Sequence, residues 1–232
     1  WVRPSVAIRG DFMLPDAVPT SLAHGLLAAE MAMNLQVAMG ERRFLLLHAS
    51  SVERDGKVLL MTGDSGSGKS TLSALLSEKG WRFMGDEFAL IEPETGLAFP
   101  FPRPVSLKNA AVAEMLRHVA ADRLGPEMLG TPKGDIRHLK PPVEAIQRMG
   151  ESGKPALLLF PRFGLPRDVR PVPPSDADKA RAALQAALRD ARERGVGQRA
   201  PQEERQARGE VVRADGHLRA RLRGHRHFIG AK

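Results

Sequence analysis

The run Gly63-Asp64-Ser65-Gly66-Ser67-Gly68-Lys69-Ser70 constrains this chain more than any other feature. It satisfies the pattern G-x-x-x-x-G-K-[ST]. It also follows a strand-like run, Val58 to Thr62, and precedes a helical one, the setting in which the pattern wraps a phosphate. Glycines let the backbone curl until successive N–H groups face an anion, and a helix N-terminus adds its positive dipole end at the same point. Lys69 is then placed to reach outer phosphates and Ser70 to ligate a bridging magnesium ion, with Gly63 through Thr71 as the binding stretch. Accident produces this pattern in on the order of one chain in a thousand at ordinary residue frequencies. A merely glycine-rich turn is the poorer reading.

Two chain-length arguments bring further side chains to the loop. The helix after it, residues 70 to 79 up to Gly80, runs outward for roughly 15 Å. The extended segment Trp81 to Gly85 returns over roughly 16 Å. Asp86 and Glu87 therefore arrive level with the loop, at the carboxyl ends of strands where open α/β sheets bind ligands. Such a pair can hold magnesium and accept the proton of an incoming hydroxyl; the plainer reading is a solvated acidic turn. Upstream, Phe44 to Val52 and Lys57 to Thr62 read as strands joined at Asp55-Gly56, a dipeptide that accepts positive φ. A two-residue turn pairs positions that sum to 111 and sets His48 opposite Gly63. There an imidazole can steady phosphate charge or shuttle a proton, or simply be a hydrogen-bonded strand residue.

The rest of the chain reads more plainly. Residues 20 to 40 suggest an amphipathic helix carrying Leu22, Leu26, Leu27, Met31, Met33 and Leu35. Phe88 to Glu92 and Leu97 to Phe101 suggest strands around a Pro93-Glu94-Thr95-Gly96 turn, Asn109 to Leu124 a helix, and Ala156 to Phe163 a buried strand. The expected fold is α/β, a mixed sheet with flanking helices, in a domain spanning 1–174. Beginning at Trp1 rather than methionine, the chain is expected to lack its original N-terminus.

After Pro174 the character changes. Ser175, with Asp176 and Asp178 behind it, can open a helix to about Arg194. Only nine of the 58 residues from 175 to 232 are Leu, Ile, Val, Phe or Met, too few for a core, so a poorly structured tail is expected. The net charge of +8 belongs mostly to this tail, which has 14 Lys and Arg against 8 Asp and Glu; the body has 21 against 19. A basic tail suggests nucleic acid, but Phe228 is its only aromatic side chain, which ranks that class last. His217, His225 and His227 read as solvated tail residues rather than a metal cluster. With no cysteine, disulfides and thiolate zinc sites are excluded. No run approaches the roughly 18 apolar residues of a membrane span, and a cytoplasmic protein is expected.

His48-Ala49-Ser50-Ser51, the stretch Gly63 to Thr71, and Gly80-Trp81-Arg82-Phe83-Met84-Gly85-Asp86-Glu87 together resemble the kinase core of HPr kinase/phosphorylase. That enzyme phosphorylates a serine of a small carrier protein. Further stretches resemble the HPr-kinase-related branch: Glu30-Met31-Ala32-Met33-Asn34-Leu35, Arg103-Pro104-Val105-Ser106-Leu107-Lys108-Asn109, Thr131-Pro132-Lys133-Gly134-Asp135-Ile136-Arg137-His138-Leu139, and Phe160-Pro161-Arg162-Phe163. The resemblance covers roughly residues 20 to 174. It implies a P-loop kinase core of the HPr kinase and phosphoenolpyruvate carboxykinase type using ATP and Mg2+. His48 and Lys69 match active-site positions, Ser70 the metal position, Glu87 the catalytic acid/base and Asp86 its acidic neighbour.

The chain departs from the family in having an Asp-Glu pair where HPr kinase has Asp-Asp. It also shows no recognisable arginine- and glycine-containing catalytic stretch, whose region Lys133 marks at most. The acceptor implied is a protein serine or, by a fainter similarity to phosphoenolpyruvate carboxykinase, a small hydroxylated metabolite. Hexamers are a family trait, which leaves a homo-oligomer open. A non-catalytic ATP-binding regulatory module is the alternative reading.

Overall fold

A computed structural model describes residues 5–8, 20–131, 133–164 and 174–196 of the chain. The chain divides into two compact units, Arg42–Gln198 and a second that takes in Trp1–Glu41. In the second unit, β1 (Ser5–Val6) pairs antiparallel with β2 (Thr20–Ser21). Helix α1 (Leu22–Gly40) follows, its first turn capped by the Ser21 hydroxyl, which accepts from the His24 N–H at 3.3 Å. The expected helix is present, but its apolar residues do not form a buried stripe. Leu27 is buried while Leu22, Leu26, Met31, Met33 and Leu35 are exposed, because these positions spread around the helix.

The larger unit is mixed α/β. It begins with β3 (Leu45–His48) and β4 (Ser50–Arg54), followed by β5 (Lys57–Met61) and α2 (Lys69–Ser77). Next come β6 (Arg82–Gly85), β7 (Phe88–Ile91), β8 (Ala98–Phe99), β9 (Val105–Lys108) and α3 (Ala110–Met115). It continues with β10 (Met128–Thr131), β11 (Gly134–Leu139), α4 (Val143–Gln147), β12 (Lys154–Leu159) and α5 (Pro174–Glu193). The strands form a four-stranded sheet ordered β12-β5-β4-β6, and three-stranded sheets ordered β3-β7-β8 and β10-β11-β9. Only β12 and β5 pair in parallel within these sheets.

The β4–β5 hairpin has the expected register, from Ser50 opposite Met61 to Arg54 opposite Lys57. Its turn residues, Asp55 at φ 52° and Gly56 at φ 75°, have the double positive φ that matches strand twist. Side chains alternate across the four-stranded sheet. Val52, Leu59, Met61 and Phe83 enter one core with Ala74 of α2 and Met115 of α3. Val58, Leu60 and Met84 enter a second core with Ala89, Ile91 and Ala98 of the β3-β7-β8 sheet. Both faces are covered, so the sheet fixes the loops at its edge.

Three expectations need correction. The run Phe44 to Val52 is not one strand: it breaks at Ala49, a buried residue, and β3 leaves the hairpin to pair with β7. Asn109 to Leu124 is not one helix. Residues 110–115 are helical, and after turns a single 3-10 turn follows at Ala121–Arg123, because this sequence buries apolar side chains at Met115 and Leu124 without a continuous helical stripe between them. The third is β12, which is an edge strand with Leu157 and Leu158 exposed, although its composition suggested burial. The tail expectations beyond 196, including the three histidines, lie outside the described residues.

Candidate functional site

Residues 63–68 leave β5 and turn into α2 through three positive-φ glycines, Gly63 (143°), Gly66 (84°) and Gly68 (101°). Gly68 is the N-cap of α2. A side chain there would strain the backbone, so the helix starts where only glycine fits readily. As the first helical residues, Lys69, Ser70 and Thr71 direct backbone N–H groups outward without carbonyl partners inside the helix. With the helix dipole they form an anion-favouring end.

The Lys69 side chain folds back over this end. Its buried ammonium donates to the carbonyls of Gly63 at 2.7 Å and Asp64 at 3.0 Å, and the Ser67 N–H donates to Asp64 O at 3.2 Å. The Ser67 hydroxyl is buried and has no hydrogen-bond partner among the described residues. Ser65 is exposed at the loop tip.

Asp86 follows β6 and is almost fully buried against the start of α2. Its Oδ1 accepts from the Ser70 hydroxyl at 3.1 Å and, more closely, from the Ser50 hydroxyl of β4. Its Oδ2 is buried without a hydrogen-bond partner among the described residues. Burial pushes the Asp86 carboxyl above its usual range; the hydrogen bond from Ser50 opposes this, the charge of Glu87 adds to it, and Ser70 opposes it. An orphaned carboxylate oxygen beside a serine hydroxyl is a donor set of hard oxygens, the kind magnesium prefers. Ser70 and Asp86 are thus the residues that could hold such an ion.

Glu87 occupies the left-handed region at φ 72°. That conformation turns the chain sharply between β6 and β7 and leaves the Glu87 side chain only partly buried. His48 Nδ1 lies 3.2 Å from the Glu87 carbonyl oxygen and 3.6 Å from Glu87 Oε2. His48 therefore faces the acidic turn rather than Gly63. Its strand partner is Phe88, because the break at Ala49 hands β3 to the other sheet. The loop remains close through the Thr62 hydroxyl, which donates to the His48 carbonyl at 3.2 Å.

The structure thus joins Lys69, Ser70 and Asp86 at one end of α2, with Glu87 next in the chain and His48 against it. Ser50 had no assigned role in the sequence reading. The signal was present, a serine two residues after His48 within the quoted motif, but only the tertiary pairing of β4 with β6 shows what it faces. Lys133 is exposed on the β10–β11 turn, and no interaction joins it to these residues. A cavity of about 490 Å³ lies at the opposite end of α2, lined by Glu53, Arg54, Ser77, Trp81, Arg82 and Arg148 among others. Its acids and bases largely neutralise one another, so size alone does not make it the reacting site. No protein-family model matches the sequence, and no curated protein matches it.

Proposed function

We propose that this chain is an ATP- and Mg2+-dependent phosphotransferase with a P-loop kinase core of the HPr kinase type, moving the γ-phosphate of ATP to an acceptor hydroxyl. The observation that carries the reading is the contact of Asp86 with Ser70 at the mouth of a complete glycine-lysine-serine loop. A solvated acidic turn would not be buried there with an orphaned oxygen.

Each residue then has a physical task. The loop and the first N–H groups of α2 hold phosphate oxygens, and Lys69 adds a positive charge toward the transferred group. Ser70 and Asp86 would hold magnesium, which when bound neutralises charge on the phosphates. Glu87, less buried than Asp86 and next to it, takes the proton of the acceptor hydroxyl as its oxygen attacks the γ-phosphorus and the bond to the β-phosphate opens. His48, 3.6 Å from Glu87 Oε2, orients that carboxylate and can receive the proton in turn. The acceptor class is a protein serine or a small hydroxylated metabolite.

Incubation with γ-labelled ATP, Mg2+ and a lysate checks this. Label is expected in an acceptor, falling by about a hundredfold or more in Glu87→Gln and at least as far in Lys69→Ala. ATP binding with no transfer in any fraction would instead support a non-catalytic ATP-binding module. Absence of ATP binding would remove both readings.

A further inference from the structure

The glycine-rich loop has a neighbour at its sheet edge. Because β12 runs parallel to β5, the two strands deliver their following loops to the same edge, where α/β sheets bind ligands. After β5 comes the glycine-rich loop; after β12 comes Phe160-Pro161-Arg162-Phe163-Gly164, a stretch to which the proposed chemistry gives no task.

The two loops are fastened together. The Thr62 N–H donates to Leu159 O at 3.0 Å, and the Phe163 N–H donates to Ser67 O, inside the glycine-rich loop, at 3.1 Å. The Phe163 Cβ lies 3.6 Å from the point a Cβ on Gly68 would occupy, so the side chain starts against the first turn of α2. Phe163 is nevertheless 85% exposed. An exposed phenylalanine alone needs no explanation. One whose backbone is fixed to the glycine-rich loop, with its ring left bare, is a ready surface for the part of a ligand that projects beyond the phosphates.

We infer that Phe163 is the platform on which the base of the bound nucleotide stacks. The ligand is then a nucleoside triphosphate rather than a bare polyphosphate. This rests on the phosphate-binding reading of residues 63–70. A phenyl ring has no polar atom with which to read a base edge, so it senses that a base is present more than which base it is. A Cβ on Gly68 would meet the Phe163 Cβ at ordinary contact distance, so glycine is needed there for its φ of 101° and not to make room for the ring.

Calorimetric titration of the full chain in Mg2+ with ATP and with inorganic tripolyphosphate tests this. Phe163→Ala is expected to weaken ATP about tenfold and leave tripolyphosphate unchanged, and the unchanged arm also shows that the variant is folded. Phe163→Trp is expected to restore ATP affinity. Unchanged ATP affinity in Phe163→Ala, or equal weakening of both ligands, overturns the platform while leaving the phosphate site standing. If wild-type protein binds neither ligand, the phosphate reading fails and the platform fails with it.

Discussion

Asp86 and Glu87 are adjacent in sequence yet live in different physical surroundings. Asp86 is buried, and its carboxyl holds its proton more tightly than usual, chiefly through burial, against the hydrogen bonds of Ser50 and Ser70 and with the charge of Glu87. The folded state then binds more protons than the unfolded one above the usual aspartate range. In the absence of divalent cation, stability is therefore expected to fall as pH rises from that range through the raised value. Magnesium favours the ionised form and should flatten this slope. Urea unfolding midpoints across pH, with and without MgCl2, measure it; identical slopes would remove Asp86 as the cation ligand. Glu87 instead bears conformational strain, since a non-glycine residue at φ 72° costs about 1 kcal/mol. Glu87→Gly is expected to raise stability by about that amount while abolishing transfer, the exchange expected where strain is held for function. A stability loss in this variant would show that the carboxylate's contacts outweigh the backbone term.

At the scale of elements, β4 and β6 are joined by a second pair of side chains at the far end of α2. Glu53 and Arg82 are register partners, both buried, with Arg82 Nε donating to Glu53 Oε2 at 2.6 Å. Arg82 Nη1 also donates to the carbonyls of Arg148 and Glu151, which ties the segment after α4 to the sheet. Burial acts to raise the Glu53 carboxyl, but the Arg82 hydrogen bond, the Gly56 N–H and the charges of Arg82 and Arg148 outweigh it and hold it low. Its contribution is thus present above the unfolded carboxylate range and lost as pH falls through the depressed folded value. Glu53→Gln is expected to cost about 3 kcal/mol at neutral pH, since it leaves a buried guanidinium uncompensated. Denaturant titration should also show a shallower acid limb; an unchanged midpoint would mean that the backbone carbonyls alone suffice for Arg82. Neither this pair nor the break at Ala49 was legible in the sequence. The Asp55-Gly56 turn was, because it is set by local φ, and so was the loop-to-helix start, because its glycines are locally required. The break depends on which sheet β3 joins, and the exposure of β12 depends on what flanks it. Composition cannot carry either, which is why Leu157 and Leu158 read as core residues.

At the scale of the whole unit, the four-stranded sheet holds the candidate site rigidly because both its faces are packed, one by α2 and α3 and the other by the β3-β7-β8 sheet. The second core does not close on that sheet alone. Leu188 of α5 packs against it, Ala191 is buried, and Arg192 Nε donates to the Pro93 carbonyl at 2.5 Å. Leu184 and Leu188 also line, with Leu60, Ile91 and Leu97, a cavity of about 370 Å³ between α5 and the sheet. The change in composition at Pro174 therefore does not coincide with the end of the packed structure: a helix with few apolar residues still docks when the ones it has are spaced to meet one surface, as Leu184, Leu188 and Ala191 are at helical intervals. Leu188→Ala should then destabilise the whole unit by about 2 kcal/mol, the lower end for a leucine truncation because the residue is only half-buried. Arg189→Ala, on the exposed face one residue later, should leave stability unchanged. The comparison is read from urea midpoints followed by Trp81 fluorescence, whose ring packs against the other core. A shift seen at Trp81 requires that loss of the α5 contact be transmitted through the sheet, as expected if residues 42–198 unfold as one cooperative body. A fall in helix signal with no shift at Trp81 would mean that α5 detaches by itself and that the sheet, with the site on its edge, stands without it.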